Sequence, residues 1–283
     1  MMKKSILDFR TMVERGEKIV WLTGYDYLTA KYEERAGVDM ILVGDSLGNV
    51  LLGYDTTYPV TMEEMLIHCK AVRRGAPDTF VIGDMPYMSY QISDEQAVAN
   101  AGRFTKEALC DAIKLEGGGE EICKRIRAIA SVGILTFGHI GLTPQFAAQM
   151  GGYKAQGRSA DAARRLLDEA LRIQDAGACA ILVEGVPDIV GELIAKKLSI
   201  PTLGIGAGSK TDGQLLIFAD MLGYYDNFTP KFVKKYAELG KEMERAFREY
   251  CDDVRAGRFP VDQMHTYKID DAEREKVRAM IDG

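Results

Sequence analysis

Met40-Ile-Leu-Val-Gly-Asp45 is an apolar run that ends on an acid, and three further stretches repeat its form: Phe80-Val-Ile-Gly-Asp84, Ala112-Ile-Lys-Leu-Glu116 and Ala180-Ile-Leu-Val-Glu184. Runs this short, rich in Ile and Val, suit strands buried on both faces. Helical patterns separate them, so the strands run parallel and their C-terminal ends share one rim. Asp45, Asp84, Glu116 and Glu184, far apart in sequence, therefore gather at one mouth. Like charges so placed repel unless a cation or a proton lies between them. The pattern points to a divalent metal with a catalytic acid or base beside it.

Working outward, an opening helix over about Ser5–Arg15 precedes the strand Ile19-Val-Trp-Leu-Thr23. Later strands end near Gly44, Asp84, Glu116, His139, Glu184 and Gly206, and an eighth, the faintest, lies near Gln214–Phe218. Helices are expected over Tyr27–Ala36, Met62–Arg73, Asp94–Leu109, Glu120–Ser131, Asp161–Ala176 and Pro187–Lys197. Thr61 and Ser93 have the form of N-caps, each followed three residues on by Glu64 or Gln96. The acidic strand ends are 39, 32 and 68 residues apart, which is one, one and two units at about 31 residues per βα unit. The expected fold is α/β: a single (β/α)8 TIM barrel with an N-terminal helix and a C-terminal helical extension. A doubly wound open sheet is the alternative, but Thr23-Gly-Tyr-Asp-Tyr27 lacks the glycine fingerprint such sheets carry after their first strand. Residues 1–283 are read as one domain. Its C-terminal helices begin at about residue 230, over Pro230–Arg255 and Asp270–Ile281, and are packing or oligomer elements.

Composition sets outer bounds. The 283 residues are 47% hydrophobic and 28% charged, with a formal net charge of −6, which argues against nucleic acid or an anionic membrane surface as main partner. No uncharged run approaches the roughly 18 residues of a membrane span, and the N-terminus lacks a signal-peptide core. Five scattered cysteines without a C-x-x-C pair suit thiols in a reducing compartment. A cytoplasmic protein is expected.

Residues two apart in a strand share a face, so Lys114 and Glu116 both enter the mouth while Leu115 packs against the surrounding helices. Buried charges need partners; a mutual ion pair is the plain reading, and the rim position favours a functional one. Asp45 and Asp84 each follow a glycine that lets another group approach the backbone. Their short carboxylates suit Mg²⁺, which takes one or two protein carboxylates plus waters and substrate oxygens. The apolar run before Glu184 disfavours its charged form, which suits a general base. His139 closes the fifth strand, where contact with substrate and a plain polar role are equally open. Gly204-Ile-Gly-Ala-Gly208 reads either as a phosphate cradle or as a tight turn. The doublet Arg73-Arg74 reads as the solvated C-terminus of a helix.

A chain of segments extends these readings: Thr23-Gly-Tyr-Asp-Tyr27, Val43-Gly-Asp-Ser-Leu-Gly48, Gly53-Tyr-Asp-Thr-Thr57, Gly83-Asp-Met-Pro86, Lys114-Leu-Glu-Gly-Gly118, Gly138-His-Ile-Gly-Leu-Thr-Pro-Gln145, Gly151-Gly-Tyr-Lys154 and Thr211-Asp-Gly213. In this order they resemble the ketopantoate hydroxymethyltransferase family, over about Ile19–Tyr236. The resemblance implies a (β/α)8 barrel related to the phosphoenolpyruvate mutase and isocitrate lyase group. It implies one Mg²⁺ per subunit on Asp45 and Asp84, with Glu116 in the metal's shell. It places Asp45, Ser46, Asp84 and Lys114 on the substrate, His139 nearby and Glu184 as the catalytic base. The implied reaction moves a hydroxymethyl unit from 5,10-methylenetetrahydrofolate to 3-methyl-2-oxobutanoate through a Mg-stabilised enolate, giving 2-dehydropantoate and tetrahydrofolate in pantothenate and coenzyme A synthesis. A homo-oligomer, commonly a decamer, is implied as well. Two departures stand out: Met88 where a glycine is common, and Glu107-Ala-Leu-Cys-Asp111 in place of a small Gly-Ala step. An enzyme of the mutase and lyase group is a rival, although its Lys-x-Cys-Gly loop is missing here; a non-catalytic oxo-acid binder is another.

Overall fold

The structure, a computed structural model, describes residues 3–282. The chain forms two compact units divided after Tyr236. In the first, eight strands close into a barrel in sequence order. They are β1 (Ile19–Thr23), β2 (Met40–Val43), β3 (Phe80–Asp84), β4 (Ala112–Glu116), β5 (Leu135–Gly141), β6 (Ala180–Glu184), β7 (Thr202–Ile205) and β8 (Gly213–Leu216). Every neighbouring pair is parallel, and β8 returns to β1 with Leu215 beside Trp21. The open-sheet alternative is thereby excluded.

Strand alternation sorts the side chains into two apolar layers. Trp21, Met40, Leu42, Phe80, Ile82, Phe137, Leu182 and Leu203 belong to the barrel's inner cluster, and Phe9 of the first helix joins them with its ring edge-on to Phe80 at 5.3 Å. Ile41, Val43, Val81, Ile113, Leu115, Ile181 and Val183 form the layer between strands and helices. Each fully buried aliphatic side chain contributes roughly 1.5–3 kcal/mol. These layers offset the cost of the ionisable groups buried above them, since a poorly paired buried ion costs several kcal/mol.

Local signals place most helix ends. Ser5 caps the helix Ile6–Glu14 in a reciprocal box with Asp8, and Thr61 does the same with Glu64 for Met62–Gly75. Ser93 accepts from the Gln96 amide, but the Gln96 side chain reaches back to Ile92 and Met88, so no reciprocal box forms there. Gly37 ends Tyr27–Ala36 in the left-handed region (φ 83°), where glycine carries no Cβ penalty. The helix expected over Asp94–Leu109 stops at Glu107, and Leu109 adopts φ 55°. Among the described residues, Leu109 and Met88 (φ 65°) are the two non-glycines with positive φ. Both fall at the two departures noted in the sequence.

Two expectations need correction. Arg73 is not solvated: its guanidinium donates to the carbonyls of Ala76, Thr79 and Leu109 and meets Asp111 at 2.5 Å. Asp111 in turn accepts from the Val81 amide, so the arginine ties a helix end to the start of β3. The helix expected from Pro230 begins only at Leu239. The Tyr236 amide donates to Met221 O at 2.7 Å, and the Phe232 ring lies over Gly206. Those tertiary contacts hold the 230–236 segment against the barrel, where a helical turn would not reach them. The second unit, described by itself, contains the helices Leu239–Arg255, Asp262–His265 and Asp271–Asp282. No helix among the described residues is long and apolar enough to cross a membrane.

Candidate active site

Three carboxyl groups at the C-terminal ends of strands meet as the sequence pattern predicts. Ligand atoms of Asp45, Asp84 and Glu116 lie within 4.8 Å of one another, and all three residues are buried. Asp84 and Glu116 are the last residues of β3 and β4; Asp45 lies two residues beyond β2, and its backbone N–H donates to Asp84 Oδ2 at 3.1 Å.

Lys114 projects into the same well two residues before Glu116. Its Nζ lies 2.7 Å from Asp84 Oδ1, 3.4 Å from Glu116 Oε1 and 3.3 Å from His139 Nδ1. The Asp84 contact is an ion pair set off the hydrogen-bonding direction, because that oxygen accepts no hydrogen bond. The plain ion-pair reading of Lys114 and Glu116 is therefore incomplete: the lysine answers at least two acids and a histidine.

His139 is buried, with Nδ1 3.4 Å from Glu116 Oε1 and Nε2 3.2 Å from Glu184 Oε2. Glu184 was expected in an apolar setting. Its side chain is instead 17% exposed and faces the imidazole. Ser46 is half-buried, and its hydroxyl pairs with the buried Tyr25 hydroxyl at 2.7 Å.

The electrostatics follow from this crowding. Burial, then the neighbouring Asp84 and Glu116 charges, push the Asp45 carboxyl well above its ordinary range. Burial also raises Asp84, with Lys114 opposing it. At Glu116 burial raises the carboxyl, but Lys114 and His139 outweigh it and hold it down at about 2. Burial and the Lys114 charge disfavour the imidazolium of His139, yet Glu116 and Glu184 prevail and raise it to about 9. Four carboxyl groups thus surround two cationic groups, Lys114 and His139. A divalent cation would relieve the repulsion that raises Asp45 and Asp84, and an all-oxygen donor set suits a hard ion such as Mg²⁺. The residues fit the metal.

Two residues with no role in the sequence reading complete the well. Gln145 Nε2 donates to Asp45 Oδ2 and to Met85 O, both at 2.9 Å, while the Gln145 backbone N–H donates to Glu116 Oε2 at 2.9 Å. The buried Tyr90 hydroxyl donates to Gln145 Oε1 at 2.7 Å and accepts from the Glu116 amide at 3.1 Å. Such partners orient carboxylates that could hold a metal. Gln145 stood inside a quoted motif, but nothing in its spacing distinguished it from a loop residue.

The glycines expected to allow close approach are met by side chains of the protein itself. A Cβ on Gly83 would lie 2.4 Å from the Phe104 ring, so a helix is what approaches there. In the Gly204–Gly208 loop, Gly206 (φ 61°) lies under Phe232 and Gly208 (φ 84°) against Asp188. Of the two open readings this supports the tight turn, since an acid at Asp188 is a poor neighbour for a phosphate.

Comparison with known proteins agrees with this geometry. Residues 3–262 match the family model described as ketopantoate hydroxymethyltransferase. A relative in Alkaliphilus metalliredigens, named 3-methyl-2-oxobutanoate hydroxymethyltransferase, is 57% identical over 96% of each chain. One of the same name in Enterococcus faecalis is 50% identical over 98% of this chain and 100% of its own. Among solved structures, a phosphoenolpyruvate phosphomutase from Streptomyces platensis subsp. rosaceus superposes with a TM-score of 0.61 at 14% identity, covering 99% of this chain and 96% of that one. A 2,3-dimethylmalate lyase gives 0.59 at 17% identity, covering 98% and 99%; at such identities these two show the barrel fold alone. With that fold, this cluster of acids and relatives of this closeness over nearly their whole length, the chain belongs to the ketopantoate hydroxymethyltransferase family.

Proposed function

We propose that this protein transfers a one-carbon unit from 5,10-methylenetetrahydrofolate to C3 of 3-methyl-2-oxobutanoate, consuming one water and giving 2-dehydropantoate and tetrahydrofolate. The observation that carries the reading is the buried trio Asp45, Asp84 and Glu116 with Lys114 among them, in a chain whose relatives bear that activity's name. Asp45 and Asp84 would hold Mg²⁺ directly, with Glu116 in its shell. When bound, that ion supplies Lewis-acid polarisation of the oxo group, which acidifies the C3–H bond.

The chain's own residues do the rest. Lys114, fixed between Asp84 and Glu116, presents a cation to the oxo acid's carboxylate and orients it. Ser46, steadied by Tyr25, supplies a further polar contact. Glu184, the one partly exposed acid of the group, takes the C3 proton, and His139 at 3.2 Å fixes the orientation of its carboxylate. C3 then bonds to the donor's methylene carbon as one of that carbon's two bonds to folate nitrogen breaks; water displaces the second nitrogen and supplies the hydroxyl, and the two nitrogens take up the proton from C3 and one from water.

The test uses solvent exchange. Glu184→Gln should retain Mg²⁺ and oxo-acid binding, measured by calorimetry, yet lose exchange of the C3 proton of 3-methyl-2-oxobutanoate in deuterated water. Normal exchange in that variant would remove Glu184 from the role. Folate-dependent consumption of the oxo acid that persists after Mg²⁺ is chelated would remove the metal.

A further inference from the structure

The charged well is too polar to receive the co-substrate's rings. Asp45, Asp84, Lys114, Glu116, His139 and Glu184 line it, whereas 5,10-methylenetetrahydrofolate carries a flat bicyclic pteridine and a benzoyl ring. That donor must lie above the well with only its one-carbon unit reaching down, so the rim must offer a surface for flat rings.

One part of the rim does so. Between buried Met85 and buried Tyr90, the chain after β3 turns Tyr87 and Met88 outward, 38% and 46% exposed. Tyr58, from the loop after β2, stands against Tyr87 with ring centroids 4.9 Å apart and planes tilted by 43°. The Ala148 amide, from the loop after β5, donates to the Tyr58 hydroxyl at 3.4 Å, and exposed Tyr153 lies further along that same loop. The surface is continuous with the site: Asp84 is three residues from Tyr87, and Met85 O accepts from the Gln145 amide group that also holds Asp45. In the closed strand order, β2 and β3 lie across the ring from β6, which carries Glu184.

The backbone there is held under strain. Met88 sits at φ 65° although it has a side chain. Gln96 Nε2 donates to Met88 O at 3.1 Å and Asn100 Nδ2 to Ser89 O at 2.7 Å, so the following helix enforces the turn. A non-glycine kept in this region is strained, and such strain clusters at active sites and ligand clamps. What the turn presents is a thioether beside two phenol rings, a combination suited to stacking.

We propose that Tyr58, Tyr87 and Met88 form the seat for the heteroaromatic rings of the one-carbon donor. The inference rests on the folate-dependent reading above and assigns that donor a place on the β2–β3 side of the mouth. Stacking on each ring is worth about 0.5–1.5 kcal/mol beyond buried area.

Tyr58→Leu and Tyr87→Leu keep apolar bulk and remove the rings. Each should raise KM for 5,10-methylenetetrahydrofolate, and weaken calorimetric binding of tetrahydrofolate, by about three- to tenfold. Exchange of the C3 proton of the oxo acid needs no folate, so it serves as the control for an intact fold and well. Unchanged KM and unchanged tetrahydrofolate binding in both variants would overturn the seat, including the case in which only the assembly state shifts. If the parent protein itself shows no folate-dependent turnover, the reaction falls instead; tetrahydrofolate calorimetry still judges the seat.

Discussion

At the scale of single residues, the well shows how one lysine changes the meaning of three acids. Alone, Asp45, Asp84 and Glu116 could not all ionise in so small a volume. Lys114 and His139 let Glu116 stay charged, while Asp45 remains raised and ready for a cation. Glu33 provides the contrast. It is 6% exposed, neither carboxyl oxygen has a hydrogen-bond partner, and burial followed by the Asp26 charge raises it from 4.5 to about 9. Its pKa is higher folded than unfolded, so the folded state keeps a proton that the unfolded state releases. Stability is therefore greatest below pH 4.5 as far as this group is concerned, and is lost as pH rises through about 9. Glu33→Gln should match the parent near pH 5 and exceed it by on the order of 3 kcal/mol at pH 8. Urea melts at the two pH values check this, and parallel pH profiles for parent and variant would count against it.

At the scale of elements, close approach between helix and strand sets the rim. Gly83 stands just before Asp84 on β3, and Phe104 of the helix Asp94–Glu107 packs onto the space a Cβ would fill. Gly83→Ala should destabilise the fold by about 1–3 kcal/mol, the usual cost of overpacking, and should lower Mg²⁺ affinity as Asp84 shifts with its strand. Thermal melts measure the first effect and calorimetry the second. Adding Phe104→Leu should restore part of both; no recovery would mean that the ring is not what the new methyl group meets. The sequence reading took this glycine as a place where another group approaches the backbone, and Phe104 is that group. That reading had no means of knowing which side chain of a distant helix lies beneath the strand.

At the scale of the whole molecule, the barrel gathers acids whose repulsion only folding brings about, so a metal held by them would couple its binding to folding. Millimolar Mg²⁺ should raise the thermal midpoint, and a chelator should lower it. The gain is about 2.7 kcal/mol when the ion is present at a hundred times its dissociation constant. Because the Asp45 carboxyl is raised, binding must displace its proton, and apparent affinity should fall as pH is lowered. Calorimetry in buffers of different ionisation enthalpy detects the released proton. Identical heats in all buffers, or a midpoint indifferent to Mg²⁺, would contradict the coupling.

Much of this architecture was legible in one dimension. The apolar runs that end on acids, the N-caps at Thr61 and Ser93 and the two-residue alternation of Lys114 and Glu116 are local patterns. Taken alone, they determined strand order, the shared rim and the acids that meet there. Tertiary structure alone decided that Gln145 and Tyr90 brace the carboxylates, that Glu184 faces His139 instead of an apolar wall, and that Arg73 binds backbone carbonyls on either side of β3 in sequence. It also decided that residues 230–236 follow the barrel surface and that Tyr58 meets Tyr87. Periodicity and caps are set by neighbours a few residues away, within reach of a local reading. A hydrogen bond or a ring contact across tens of residues depends on how the closed sheet places separate loops, and no short pattern carries that information.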